Sequence, residues 1–553
     1  MKRIFIALMF CLSLQMNAQY DAFDAGSTTG IRFHRQPCVH HDDAPTTRTA
    51  STQEEACLRA TGSPKILVCL ANFTDVKFTV APDDEALVLL FDKFFNAKNV
   101  GTGDNPYSVC DYFCAMSDGI FTPEFVIMEP ITLSKNRSYY GQLSGDSRRN
   151  VFRKEAIDSL SSKISDRVDE FDTDNDGMID GVIVIFPGAG ANVGDKNGMH
   201  PACWTSAYTT TKCAVTYATS LIAPEMLGLD YTSQGGPNNA KLNAIGIFVH
   251  EMSHMLGLPD FYDLNYSAPG MDYWSLMDYG EYWQNGYYPT PYTAYERHFM
   301  GWLSLVELSE PTYVTSMKAI ADGGSAYVIY NDGNRDEYYI LENRTTADPY
   351  SYNLCNTLGS GLMIYHVDYN SILWKNNRIN TDPNRQRMTI IPANGYFEIA
   401  DNFTDSNKYL SELRGHLWPL KDIPSVVEYY GIVGNNSLTD EERSQGLRIA
   451  PAATLYNPNI DGSFLMHKPI TDIVYDATTR TISFSFMGGE PTGIGEVPEN
   501  LNHSIGNSAY TVYSLDGRIV TICGPSALDI LPRGLYILRN TATGETTKRL
   551  LGK

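Results

Sequence analysis

The stretch that most constrains this chain of 553 residues is Phe248-Val249-His250-Glu251-Met252-Ser253-His254-Met255-Leu256-Gly257-Leu258-Pro259-Asp260. Its apolar residues predict a helix, and histidines four apart on a helix stack on one face, about 6 Å apart along the axis. That spacing lets two ring nitrogens reach one zinc ion at about 2 Å. Glu251 stands beside the metal, where a carboxylate suffices as base for a zinc-activated water of pKa around 7. Catalytic zinc needs a third protein ligand and an open fourth place. Gly257 can end the helix in a left-handed conformation and turn the chain back, so that Asp260 meets the metal. His-Glu-x-x-His by itself is a weak motif, found by chance on core helices. The added Gly and Asp make it much more specific.

Downstream lies Trp274-Ser275-Leu276-Met277-Asp278-Tyr279-Gly280. A lone Met in an aromatic turn is ordinarily packing. Following this zinc motif, Met277 resembles the Met-turn beneath the metal of metzincin peptidases. Tyr279, two residues on, matches the tyrosine that several of those families set near the zinc, to ligate it or to hydrogen-bond the developing oxyanion. The chain as a whole resembles the immune inhibitor A-type metallopeptidases, a secreted bacterial family with an Asp-terminated zinc motif. Ser108-Val109-Cys110-Asp111-Tyr112-Phe113, Tyr139-Tyr140-Gly141 and Leu258-Pro259-Asp260-Phe261-Tyr262-Asp263 carry the resemblance in the catalytic part. Tyr338 to Arg344 and Gly361 to Asp368 carry it beyond, so it covers roughly residues 63–488. In gluzincins the third ligand is a Glu on a later helix, which leaves Glu281 and Glu296 as alternatives. Gly257 and the Met-turn favour Asp260, and Asp263 is the next candidate.

Composition narrows the partners. At ~150 residues per domain the length suggests roughly three to four domains. The 43% apolar and 12% aromatic content is ordinary for folded protein. Lys plus Arg number 42 against 64 Asp plus Glu, a formal charge of -22 that disfavours nucleic acid and anionic membranes. Lys2-Arg3, the apolar run Ile4–Leu14 and small Ala18 read as a signal peptide over 1–18, and no later run reaches the ~18 apolar residues of a membrane span. Ten cysteines fall to nine once Cys11 leaves with that signal. Cys203 and Cys213 are close enough for a loop disulfide, and Cys110 and Cys114 share one helical face. Residues 19–62 read as a pro-segment or flexible leader. There Cys38, His40, His41 or Asp42 can cap the zinc in a latent form, against the plainer reading of an unstructured leader.

The expected fold class is α+β: a metzincin-like zinc peptidase domain (63–305), a β-rich accessory domain (306–488) and a small C-terminal β-sandwich. Strands are predicted at Ile66–Leu70 and Gly181–Phe186, and a helix at Glu85–Phe95. The β-rich part is read from Ser325–Tyr330, Tyr338–Leu341, Leu362–Val367, Met388–Ile391 and Thr481–Phe486. A linker is expected at 489–497. Residues 498–553, with hairpin turns at Asp516-Gly517 and Arg533-Gly534, resemble a type IX secretion sorting domain. That implies secretion machinery as a partner and the outer surface of a Bacteroidetes-type bacterium, or the medium, as location.

A second cation site is expected at Asp172, Asp174, Asp176, the Met178 carbonyl and Asp180, the EF-hand ligand order for calcium with Gly177 at position 6. Ile183 stands where the bidentate Glu belongs, so another residue such as Glu170 must finish the shell; the alternative is an acidic solvated turn. These features together point to a secreted zinc endopeptidase acting on proteins. The rival readings are a zinc hydrolase of a non-peptide amide or ester, and a surface adhesin on a metallopeptidase scaffold.

Overall fold

The computed structural model describes residues 58–141, 146–193, 195, 197–227, 241–264, 268–394, 406–420, 454–490, 510–513, 519–523, 528, 534–540 and 546–551. The expected signal peptide, the zinc-capping candidates at 38–42 and nearly all of the expected leader and linker lie outside these residues. Strand β1 (Lys65–Asn72) alternates its side chains between two buried environments. Ile66, Val68 and Leu70 enter one core while Leu67, Cys69 and Ala71 enter another. A strand buried on both faces reads as a continuous apolar run, which is why it was legible.

Helices α1 (Asp84–Asn96) and α2 (Val109–Met116) follow, then β2 (Glu124–Ile127), β3 (Ile131–Thr132) and α3 (Asp146–Ser161). Strand β4 (Ile179–Ala189) extends beyond the predicted Gly181–Phe186 at both ends, and β5 (Ala202–Trp204), β6 (Tyr208–Thr209) and β7 (Thr216–Met226) complete the sheet. The order is β2-β1-β4-β7-β5, with β3 beside β1 and β6 beside β7, parallel except for β5 and β6. Helix α3 covers one face with Phe152, Ala156, Ile157 and Leu160. Helices α1, α2 and α4 (Ile245–Met255) cover the other.

The sheet also corrects the expected Cys203–Cys213 disulfide. Cys203, on β5, packs into the core beneath α4, whereas Cys213 packs against the core beneath α3. Cys203 sits in a strand and Cys213 in the turn between β6 and β7, each against a different face of the sheet, and no disulfide joins them. Cys110 and Cys114 do share a face of α2, with their sulfurs 3.6 Å apart.

Helix α5 (Ala294–Phe299) leads into the β-rich region. There β8 (Val306–Glu307), β9 (Thr312–Met317), β10 (Tyr327–Asn331), β11 (Asn334–Arg344), helix α6 (Pro349–Leu358), β12 (Gly361–Asp368), helix α7 (Ser371–Lys375), β13 (Met388–Ile390), β14 (Ile470–Asp476) and β15 (Thr481–Phe486) follow. They form one sheet of order β13-β12-β11-β10-β8 and another of order β14-β15-β9. Ile329, Tyr339, Leu341 and Ile364 face Phe484 and Phe486 in a core between these sheets. Val328, Ile340, Met363, Tyr365 and Val367, on the opposite face, join the core that contains α4. The apolar core is therefore continuous across position 305/306.

One compact unit ends at Pro491 and a second begins at Thr492. In the second, β16 (Tyr510–Tyr513), β17 (Ile519–Cys523), β18 (Gly534–Asn540) and β19 (Thr546–Leu551) form an antiparallel sheet of order β17-β16-β18-β19. Among the described residues, no helix is long and apolar enough to cross a membrane.

Candidate metal centre

Every residue of α4 is buried, so its polar side chains are there at a desolvation cost that partners must offset. The helix begins without a side-chain cap of its own. Instead Asn105 Oδ1 accepts from the Ile245 N–H (2.9 Å) and Asn243 Oδ1 from that of Ala244 (2.9 Å). It ends in a Schellman turn: the Gly257 N–H donates to His254 O (2.9 Å) and the Leu258 N–H to Ser253 O (3.0 Å). Gly257 has φ +101°, a conformation open to glycine and strained for other residues. The chain then doubles back and carries Asp260 to the imidazoles.

His250 Nε2 and His254 Nε2 are 3.2 Å apart, and Asp260 Oδ1 lies 3.2 Å from each. Ligands about 2.0–2.1 Å from a tetrahedral zinc stand about 3.3 Å from one another, so this triangle fits the ion. The chemistry of the donors fits as well. His250 Nδ1 faces the Leu276 carbonyl (2.9 Å) and His254 Nδ1 the Leu258 carbonyl (2.7 Å). A carbonyl only accepts, so both Nδ1 atoms carry the proton and both Nε2 atoms present lone pairs toward Asp260. Three electron-pair donors converging on one point in a buried site suit a cation between them.

The surrounding charge favours positive charge here, on a bound ion or as a proton on His250 Nε2 in its place. Burial works against a charge on the imidazole, but Glu281, Asp260 and Glu251 outweigh burial and push the ring up to about 10. Burial would also raise Asp260, yet the His254 and His250 rings hold it well below the usual carboxylate range. Glu251, one residue after His250, is fully buried.

The turn after the loop locks these parts together. The Met277 carbonyl accepts from the Phe261 N–H (2.7 Å), next to Asp260. Its N–H faces Ser275 Oγ (3.1 Å) and Glu296 Oε1 (3.3 Å), and its side chain is fully buried. Glu296 thus braces the Met277 turn and caps α5 through the Thr293 N–H (2.5 Å). Glu281 Oε2 sits 3.9 Å from His250 Nδ1, the nitrogen that faces away from Asp260. Burial pushes Glu281 up to about 8. Asp263 is buried, and the carboxylate that joins the two Nε2 atoms is that of Asp260. The Tyr279 ring stacks on Tyr262 at 6.5 Å and lies 6.3 Å from Tyr273.

Three partners of the site had no signal in the sequence. Asn377 Oδ1 accepts from the Asp260 N–H (2.6 Å) while its Nδ2 donates to Asp260 Oδ2 (2.5 Å). Leu276 and Leu258 act through backbone carbonyls, which no side-chain pattern announces.

In the acidic loop, carboxylate oxygens of Asp172, Asp174 and Asp176 come within 4.8 Å of one another. Asp172 accepts from the Gly177 N–H (2.8 Å) and Asp176 from that of Met178 (2.8 Å). Asp180 stands outside this group and accepts from Thr173 N–H (3.2 Å) and its hydroxyl. Glu170 makes a two-pronged pair with Arg167 (2.9 and 2.8 Å), and Ile183 lies in the core of β4.

Residues 59–303 match the profile of the immune inhibitor A peptidase M6 catalytic domain, less than half of the chain. The pre-pro-metalloprotease PrtV of Vibrio cholerae serotype O1 is 28% identical over 279 residues, 43% of this chain and 29% of that protein. Immune inhibitor A of Bacillus thuringiensis subsp. alesti is 25% identical over 291 residues, 44% of this chain and 41% of that protein. The chain thus spans less than half the length of either relative. Among solved structures, catalytically inactive OgpA from Akkermansia muciniphila with an O-glycopeptide aligns over 54% of this chain and 75% of that one. Its TM-score of 0.21 and 12% identity carry no argument about fold or function.

Proposed function

We propose that the chain is a zinc-dependent endopeptidase of the immune inhibitor A type, with His250, His254 and Asp260 as metal ligands and Glu251 as base. The observation that carries this reading is the triangle of donor atoms 3.2 Å on a side, beside a buried glutamate. Zinc in such a site supplies Lewis acidity, bringing the pKa of a water to around 7 and polarising a carbonyl. Glu251 takes the proton of the attacking water onto its carboxylate and passes it to the leaving amine. The two Nδ1–H bonds hold the imidazole planes, so their lone pairs stay aimed at one point. In the same reading Met277 forms the packed floor of the site and Tyr279 donates a hydrogen bond to the oxyanion. Protein substrates are the class supported by the matched profile and by the printed description of PrtV as a metalloprotease.

Two smaller parts complete the proposal. Calcium binds the Asp172, Asp174 and Asp176 carboxylates, supported by their mutual reach. Export runs through the Lys2–Ala18 signal and the sorting segment at 498–553, supported by their sequence patterns alone.

Casein or gelatin digestion tests the central reading. Glu251→Ala is expected to lower kcat/KM by about 10²–10⁴-fold with zinc content unchanged, the range for loss of one general acid–base. A chelator should abolish cleavage and added zinc restore it. Full cleavage by the variant would sink the mechanism. Hydrolysis of small esters or amides without peptide cleavage would favour the non-peptide hydrolase, and zinc uptake without hydrolysis the adhesin.

A further inference from the structure

The side chain that holds Asp260 comes from the β-rich region, 117 residues downstream. Asn377 follows α7 with φ +52°, the left-handed region that Asn tolerates better than most residues, and it is buried. Its N–H closes the end of α7 on Trp374 O (3.2 Å). Three residues on, Asn380 Nδ2 donates to Phe261 O (2.6 Å) and Met388 O (2.7 Å), and its Oδ1 accepts from the Met388 N–H (3.0 Å). The Trp374 indole donates to Tyr295 Oη on α5 (2.7 Å). The segment 374–380 is therefore tied to β13 on one side and to the loop of Asp260 on the other.

A carboxylate on a loop can rotate, and either oxygen can face a metal. Asn377 removes that freedom. Its amide NH₂ engages Oδ2, its amide oxygen holds the Asp260 N–H, and Oδ1 is left facing both Nε2 atoms at 3.2 Å. We propose that Asn377 is a positioning residue for the metal, and that the centre is complete only when the β-rich region is docked on the catalytic part. The proposal rests on the zinc reading above and adds to it a ligand-orienting partner from outside the matched profile, which ends at 303. Partners of this kind typically set metal affinity by 10–100-fold.

Zinc affinity of the full chain, measured by competition with a chromogenic chelator, tests it. Asn377→Gly keeps the left-handed backbone and removes the amide. It is expected to bind zinc about 10–100-fold more weakly, to alter the visible spectrum of the cobalt(II)-substituted protein, and to show a smaller zinc-induced rise in Tm. Asn377→Asp keeps the shape but replaces the NH₂ donor with a carboxylate oxygen, and carries the same expectation if the glycine variant does not fold. Wild-type zinc affinity and an unchanged cobalt spectrum in a folded variant would overturn the proposal, even if its Tm fell. Asp260→Ala is the control. If the wild type takes up no zinc, or Asp260→Ala binds it as tightly as wild type, the metal-centre reading fails and the positioning role with it.

Discussion

Asp180 is only 3% exposed, and its carboxyl answers to its surroundings. Burial pushes it up to about 6; the Thr173 hydroxyl and N–H oppose this, and Asp174 and Asp172 add to it. An unfolded aspartate titrates near ~3.9, so the folded chain binds this proton more tightly. Its contribution to stability is therefore full below about pH 4 and is lost as pH rises through about 6. Asp180→Asn keeps an acceptor for Thr173 and removes the titration. In calcium-free buffer its Tm should exceed that of wild type at pH 7, with the gap closing toward pH 4. Parallel pH profiles would refute this, and a wild-type Tm unmoved by millimolar calcium would remove the ion from the reading. The sequence marked Asp180 as one of five ligands at alternating positions. Its position at the start of β4 instead turned it inward to Thr173, because a strand fixes the direction of its side chains.

The helix α4 shows two glycines of different legibility. Gly257, three residues before Asp260, could be read as a stop, since helices commonly end on a left-handed glycine. Its replacement by Ala is expected to cost about 1–2 kcal/mol for the conformation alone, read as a shift of the urea midpoint at constant slope. An unchanged midpoint would show that the turn relaxes freely. Gly246 gave no such signal. A Cβ there would stand 2.0 Å from Glu281 O, so the helix packs directly on the backbone of the segment Tyr279–Gly286. That neighbour is 35 residues away in the chain, and no local pattern contains it.

Across the whole molecule, the β-rich region shares the core of the catalytic part. Ile340, Met363, Tyr365 and Val367 lie in one cluster with Leu276 and Met277. The Arg344 guanidinium donates to Trp274 O and Pro291 O (both 3.2 Å), and the Trp274 indole to His416 Nδ1 (3.1 Å). Without the β-rich region these four leave the shared core, and uncovering a similar number of apolar side chains of the catalytic part forfeits about 6–12 kcal/mol at roughly 1.5–3 each. That is comparable to the ~5–15 kcal/mol stability of an entire domain. Residues 58–303 expressed alone should therefore give no cooperative thermal transition by circular dichroism. A sharp, zinc-stabilised melt of that piece would show that the catalytic part stands alone.

The sequence by itself determined the residue types of the candidate metal site, their helical spacing, the glycine stop and the buried strands, because these depend on periods of two to four residues and on the chemistry of single side chains. Its reading of Cys203 and Cys213 failed for want of the sheet, which stands between the two cores that they pack against. Only the tertiary structure decided that Asp260 Oδ1 joins the imidazoles, that Glu281 sits behind His250 and that Glu296 braces the Met277 turn. It alone brought Asn377 to Asp260. Each of these depends on groups brought together by packing across long stretches of chain, where burial strengthens an interaction that sequence distance conceals.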